Sequence, residues 1–313
     1  MGHAIVYTTF GGPEVLTLVE TEPLQATPGH VLVRVEAAGV NPVDAKLRSA
    51  LRPSPPITEP RRVGSDGAGT VTAVGDDVDW FRPGDEVVFS GGTGAYASEL
   101  LLPAHKVQHR PSRVPAAVGA ALGIPAGTAY QTLRSLDVRS DDTLLLHGGS
   151  GSVGQAVIQF AVLWGATVVA TASPERFDRI RQLGATPVEY GKGLGDRVGT
   201  AAPDGVTVAV DAAGTDEALD VSRAVVADRS RIATLVRGAD AAGLGIRAFG
   251  GGSPDPLTPQ QLAWRAEAIP VTLALLAADR FSVELGPELP LAEAAEAHRL
   301  VEAGTSGKIT LVP

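Results

Sequence analysis

The sequence has 313 residues, 44% hydrophobic and only 19% charged, enough apolar material for two domains and too little charge for a disordered chain. Lys and Arg total 26 against 35 Asp and Glu, with no basic patch, which argues against nucleic-acid binding as the main role. There is no cysteine, which excludes disulfides, thiol catalysis, thiolate zinc sites and cysteine-held iron–sulfur clusters together.

No apolar run approaches the roughly 20 residues a membrane helix needs. Residues 1–7 show neither a charged n-region nor an apolar h-region, so a cytoplasmic protein is expected. In chain order, short strands are predicted over 4–7, 15–19, 31–37, 69–74, 86–89 and 99–102. Turn clusters such as Gly11-Gly12-Pro13 and Arg82-Pro83-Gly84-Asp85 separate them. That spacing suggests a compact antiparallel or barrel-like domain. Among six histidines only His105 and His109 are close, and they lie between Pro103 and Pro111. On an extended segment they would stand roughly 13 Å apart, too far to share a metal ion, so they read as surface residues and no metal site is expected.

From about Pro115 the texture changes. Ala-rich helical stretches alternate with β-branched runs at 143–147, 167–171, 206–210 and 231–236, the signature of βαβ units on a parallel sheet. After the run 250–254 come helices over 259–278 and 291–303, and a last strand over 308–312. The expected fold class is α/β. A doubly wound Rossmann sheet, residues 116–254, is inserted into a β-rich domain formed by 1–115 and 255–313.

The buried-strand run 143–147 leads into Gly149-Ser150-Gly151-Ser152-Val153-Gly154 and then an apolar helix. This is a GxGxxG turn in the strand–turn–helix context that its mechanism needs. Gly149 and Gly151 let the backbone bend close to a pyrophosphate, Gly154 permits close helix–strand packing, and the helix N-terminal amides stabilise the phosphate charge. The next strand should end in an acid if the dinucleotide is NAD. Instead Ser173 stands there, with Arg176 and Arg179 following. A cation in a first helical turn is disfavoured unless an anion sits nearby, and a ribose 2′-phosphate supplies one. NADP(H) is therefore expected, although Glu175 points toward NAD, and Ser173-Pro174 is also simply a good helix start.

These motifs resemble the zinc-independent quinone oxidoreductase (zeta-crystallin-like) branch of the medium-chain dehydrogenase/reductases. The resemblance runs through Phe10-Gly11-Gly12-Pro13, Ala38-Gly39-Val40-Asn41-Pro42, Gly64-Ser65-Asp66-Gly67, Gly84-Asp85-Glu86-Val87, Gly127-Thr128-Ala129, Leu183-Gly184-Ala185 and Gly307-Lys308-Ile309. It implies a GroES-like domain holding both chain ends. Zinc-dependent relatives have a Cys where Asn41 stands and a His-Glu pair at Ser65-Asp66. By resemblance, Asn41 and Thr128 line the nicotinamide pocket, Ser173, Arg176 and Tyr190 surround the adenosine phosphate, and Gly214, Phe249 and Gly250 close over the cofactor. Asn41 as a turn residue, Tyr190 as a packed aromatic and Phe249 as core are the plain alternatives.

Without a metal Lewis acid the acceptor must take hydride readily. Quinones do so by becoming aromatic, and enones by forming a delocalised enolate. The expected function is NADPH-dependent hydride transfer to a quinone or similarly activated carbonyl. The alternatives are an enone, alkenal or enoyl-thioester double-bond reductase, or a crystallin-like NADPH-binding protein without turnover. Asn41, Asp44 and Lys46 are the candidate catalytic residues. The stretch Asn41-Pro42-Val43-Asp44-Ala45-Lys46 resembles members that reduce enones as well as quinones, which implies that Lys46 bonds a substrate carbonyl or the ribose hydroxyls; the plain alternative is an exposed helix lysine. Asp44 either orients Lys46 or caps the turn, and Tyr96 is expected to be structural. The resemblance also implies a homodimer, with an edge strand near 244–249 pairing across the two-fold.

Overall fold

The computed structural model describes residues 2–52, 54–250, 253 and 255–313. The chain divides into two compact units, Met1–Ile124 with Ile269–Pro313, and Pro125–Ala268. The first unit opens with β1 (Gly2–Tyr7), β2 (Thr17–Thr21), β3 (His30–Gly39), α1 (Pro42–Arg48), β4 (Arg61–Arg62), β5 (Asp66–Val74), β6 (Glu86–Phe89), β7 (Glu99–Pro103), β8 (Val107–His109) and α2 (Ala116–Ala120). Then come α3 (Gly123–Ser135), β9 (Thr143–His147), α4 (Ser152–Leu163), β10 (Thr167–Ala172), α5 (Phe177–Gln182), β11 (Thr186–Glu189), α6 (Leu194–Ala201), β12 (Val208–Asp211), α7 (Asp216–Val225), β13 (Ile232–Thr234), α8 (Gly238–Leu244), β14 (Arg247–Ala248) and α9 (Pro259–Ala277). The chain closes with β15 (Leu285–Pro290), α10 (Ala294–Glu302) and β16 (Lys308–Val312).

In the first unit β3 is the organising strand. Its Val-rich stretch pairs antiparallel with β5, β7 and β16, which places the chain's last strand beside the end of β3. Val31, Val33 and Val35 pack with Phe89, Tyr96, Leu102, Ile309 and Leu311 into one core. Alternation along a half-buried strand selects that face. Burying side chains of this size contributes about 1.5–3 kcal/mol each before conformational entropy is subtracted.

The second unit is a six-stranded sheet in the order β11-β10-β9-β12-β13-β14, with every pair parallel. Leu144, Leu145 and Leu146 of β9 are fully buried, as a parallel strand covered on both faces requires. The strand order reverses at β9, so a crevice opens at the carboxyl ends of β9 and β12.

Several local expectations change. The strand expected over 15–19 starts two residues later, as β2, because Pro13 presets a 3-10 turn, Pro13–Val15, ahead of it. β11 and β15 were hidden by Pro187, Pro287 and Pro290, and both lie at sheet edges, where a missing N–H is tolerated. His105 sits in a 3-10 turn rather than an extended segment, while His109 ends β8 and bonds Trp80 O at 3.0 Å. Both are exposed. In the run 250–254, Gly251, Gly252 and Pro254 lie outside the described residues. Among the described residues no helix is long and apolar enough to cross a membrane.

Candidate active site

Nearly all the residues expected to bind a dinucleotide gather at the carboxyl ends of the parallel strands. β9 ends at His147, the chain turns through Gly148 with φ +80°, and α4 begins at Ser152. Gly148 N and Gly149 N are tied to Thr171 of β10, at 3.1 Å to Oγ1 and 2.9 Å to O. A Cβ on Gly154 would stand 2.2 Å from Gly148 O, so the helix start lies directly against the turn. The first-turn amides of α4, at Ser152, Val153 and Gly154, have no carbonyl within the helix to bond. The result is a concave turn with a helix N-terminus behind it, the cradle a pyrophosphate needs. NADP(H), implied by the family resemblance, fits these residues.

Two buried side chains hold the neighbouring strand ends. Asp211 closes β12 with its Oδ1 accepting from Ala213 N at 2.9 Å and Gly214 N at 2.7 Å, and its Oδ2 from Thr234 Oγ1 at 2.8 Å. Thr234 Oγ1 in turn accepts from Val236 N and Arg237 N. One carboxylate thus fixes the loops after β12 and β13, including Gly214. His147 bonds Ser222 of α7 at 3.1 Å, and burial pushes its pKa down to about 4, so it is neutral. Sequence reasoning missed Asp211 and Thr234 as loop anchors. The signal was an acid and a threonine, each closing an apolar strand.

Ser173 and Arg176 follow β10, where the Ser173 hydroxyl donates to Glu175 at 2.7 Å. That bond holds the Glu175 carboxyl below its usual range. Arg179, the second cation expected there, bonds Gln155 of α4 at 2.9 Å. Tyr190 is 57% exposed after β11, rather than packed. Its loop is clamped by Arg197, which donates to the carbonyls of Glu189, Gly191 and Lys192. Phe249 is buried with the Arg247 guanidinium 4.8 Å over its ring. Thr128 of α3 is buried, and a Cβ on Gly250 would stand 4.0 Å from its methyl group.

The first unit carries a buried polar cluster where β3 gives way to α1. Asn41 is the N-cap, and its backbone N donates to Asp44 Oδ2 at 2.9 Å, so of the two roles open to Asp44 the structure takes the cap. Asn41 Nδ2 donates to Asp66 Oδ2 at 2.9 Å and more weakly to Gly39 O at 3.4 Å, while its Oδ1 accepts from Lys308 Nζ of β16. Asp66 also accepts from Ile124 N at 2.8 Å and Ser90 Oγ at 2.9 Å. Tyr96 is fully buried and donates to Asp44 at 3.1 Å.

A directional chain stands behind Tyr96. Arg48 Nε lies 3.2 Å from His298 Nδ1, and His298 Nε2 lies 3.3 Å from Tyr96 OH. Arginine only donates, so Nδ1 accepts and Nε2 carries the hydrogen, a neutral ring. Burial and the adjacent Arg48 push the His298 pKa down to about 4, which agrees. Burial likewise pushes Asp44 up to about 7, with Asp66 adding to the rise and the Asn41 amide, Lys308 and Tyr96 opposing it. Lys46 lies apart from this network. It is exposed on α1 and, among the described residues, makes no side-chain hydrogen bond or ion pair. Asp66, Lys308, His298 and Arg48 were not foreseen as members of the cluster. A lysine opening the apolar strand 308–312 was the visible clue.

A parallel doubly wound sheet with a glycine turn at its switch point, inserted along the chain between the two segments of a β-rich unit, is the architecture of a dinucleotide-dependent dehydrogenase. Residues 27–115 match the alcohol dehydrogenase GroES-like domain, and residues 152–244 match the zinc-binding dehydrogenase domain. Quinone oxidoreductase of Pseudomonas aeruginosa is 32% identical over 336 aligned residues, covering 100% of both chains. Human quinone oxidoreductase is 39% identical over 181 residues, a stretch that covers 57% of this chain and 55% of that relative. The solved Escherichia coli quinone oxidoreductase complexed with NADPH is 25% identical with a TM-score of 0.84, covering 99% of this chain and 100% of that one. The chain belongs to the quinone oxidoreductase family of the medium-chain dehydrogenase/reductases.

Zinc, implied by the name of the second matched domain, does not fit the donor set. Among the described residues no group of three or more His, Cys, Asp or Glu side chains could hold a metal ion. The Asn41 oxygen faces the Lys308 ammonium instead.

Proposed function

We propose that the protein transfers hydride from NADPH to a quinone or a similarly activated carbonyl acceptor without a metal ion. The observation that carries this reading is the glycine turn seated at the switch point of the second unit's sheet. When bound, NADPH supplies the hydride. The α4 amides and the turn hold its pyrophosphate, Ser173, Arg176 and Tyr190 surround its adenosine phosphate, Asn41 and Thr128 line its nicotinamide pocket, and Gly214, Phe249 and Gly250 close over it. Of the three candidate catalytic residues, Asn41 and Asp44 shape the start of α1, and Lys46, exposed on that helix, is the one whose side chain is open to donate to an acceptor. A protein doing this chemistry needs to orient the acceptor and bond a developing oxyanion, and no protein nucleophile is required.

The test is oxidation of NADPH and of NADH by metal-stripped protein, with a simple 1,4-quinone and a simple linear enone. Faster quinone turnover yielding hydroquinone supports the reading. Faster enone turnover yielding the saturated ketone replaces it with double-bond reduction. Tight NADPH binding with neither turnover leaves a crystallin-like binding protein. In the same assay Arg176→Ala is expected to lower the NADPH-over-NADH preference by about tenfold or more, the worth of one charge-assisted hydrogen bond. An unchanged ratio removes Arg176 from the 2′-phosphate site.

We also infer a homodimer, with β14 at the edge of the second unit's sheet extended by a second copy. Sedimentation equilibrium should return twice 32.1 kDa. A mass of one chain at all concentrations overturns this.

A further inference from the structure

The oxygen and NH2 of the Asn41 amide are nearly equal in size, but the surroundings of the side chain admit only one orientation. Its NH2 faces two acceptors, the Asp66 carboxylate and Gly39 O, and its oxygen faces the Lys308 ammonium. Turning the amide over would set NH2 against an ammonium and an oxygen against a carboxylate, both repulsive. Asn41, Asp66 and Lys308 are all at least nine-tenths buried, so no water substitutes for either contact at low cost. Lys308 comes from β16, which pairs with β3 at Gly39 and Ala38, two and three residues before Asn41. The last strand therefore delivers a cation to the residue that opens α1, some 267 positions earlier in sequence.

We propose that Lys308 is a positioning residue of the candidate active site: its ammonium locks the Asn41 side-chain amide in one orientation and, through the Asn41–Asp44 cap, sets the start of α1. The proposal rests on the reading of this cluster as part of the active site. Asn41, with every polar atom of its amide committed to protein, then acts by holding shape rather than by offering a free donor. Burial pushes the Lys308 pKa down, and the nearby Asp66 and Asp44 carboxyls oppose that fall, favouring the ammonium.

The experiment compares wild type, Lys308→Met and the neutral pair Lys308→Met with Asp66→Asn. In the pair, the introduced asparagine oxygen still accepts from Ile124 and Asn41, so the pair keeps a folded protein in hand if the single variant does not fold. Hydrogen exchange of the Asn41 side-chain NH2, read by NMR, is expected to quicken at least about tenfold in both variants as the lock opens. NADPH affinity, read by nicotinamide fluorescence, should stay within about twofold, while kcat falls about tenfold to a hundredfold, the effect of misplacing a positioning group. A merely structural lysine would lower the melting temperature and leave kcat of the neutral pair near wild type. That result, or unchanged Asn41 exchange, overturns the proposal. A wild-type protein that turns over neither quinone nor enone sinks the functional reading alone, and the exchange comparison still decides the lock.

Discussion

Gly154→Val is expected to abolish NADPH binding, with an affinity loss of at least about a hundredfold, or near 3 kcal/mol. A Cβ at this position would stand 2.2 Å from Gly148 O and 2.9 Å from Gly149 Cα. Both are backbone atoms of the turn, so no side chain can swing aside to relieve the contact. Gly149 N is held by Thr171 O and Gly148 N by Thr171 Oγ1, which pins the turn to β10. The helix must back away instead, and its first-turn amides retreat from the pyrophosphate position. Overpacking at such a place also costs about 1–3 kcal/mol of stability. Fluorescence titration with NADPH, alongside thermal unfolding, measures both effects. Gly199→Ala on α6 is the control, because nothing lies within 4 Å of a Cβ there. Binding within a few-fold of wild type in Gly154→Val would mean that the turn is not the phosphate cradle.

The second large effect is on stability and concerns Asp44. Burial raises its pKa to about 7 in the folded protein, against 3.8 for a free side chain. Below pH 4 both states hold the proton. Between 4 and 7 the folded state keeps a proton that the unfolded chain releases, so this group's contribution falls by about 1.4 kcal/mol per pH unit. Above 7 both states are ionised and the accumulated loss levels off at about 4 kcal/mol. His147 and His298 act in the opposite sense. Burial holds each neutral to about 4, so their penalty is greatest in acid and disappears as pH rises toward the usual histidine value. The wild-type profile by itself hides the Asp44 component. Asp44→Asn isolates it, since the asparagine oxygen can accept from Asn41 N and Tyr96 OH and carries no charge. Urea denaturation from pH 4.5 to 8 should show wild type losing stability relative to Asp44→Asn by about 1.4 kcal/mol per unit up to pH 7. Parallel profiles for the two proteins would show that Asp44 does not titrate in that window.

These two sites show what kind of information each level holds. The glycine turn was legible because its chemistry is local: a buried strand, three glycines at fixed spacing and an apolar helix in one continuous stretch, residues 143–163. The same holds for the α/β class, whose evidence is hydrophobic period and turn chemistry along the chain. The position of Ser173 and Arg176 after the next strand was legible too, and Arg176→Ala tests whether they meet a 2′-phosphate there. The edge strands β11 and β15 were not, because proline masks a strand unless one knows that it lies at an edge.

The polar cluster of the first unit could not be read in this way. Asn41, Asp66, Tyr96, His298 and Lys308 are spread along the chain, the first and last 267 positions apart, and each has an ordinary role if taken singly. Asp44 and Lys46 lie two positions apart and invite pairing. Yet the fold buries Asp44 under Tyr96 and leaves Lys46 in solvent. Sequence by itself determined the strand-and-helix alternation, the nucleotide turn and the absence of thiol chemistry. Only the tertiary structure decided which charges are buried together, and therefore which side chains bond the Asn41 amide and which way burial pushes His147, His298 and Asp44. The reason is physical: periodicity and turn chemistry act between neighbours in the chain, whereas desolvation and Coulomb forces act between neighbours in space.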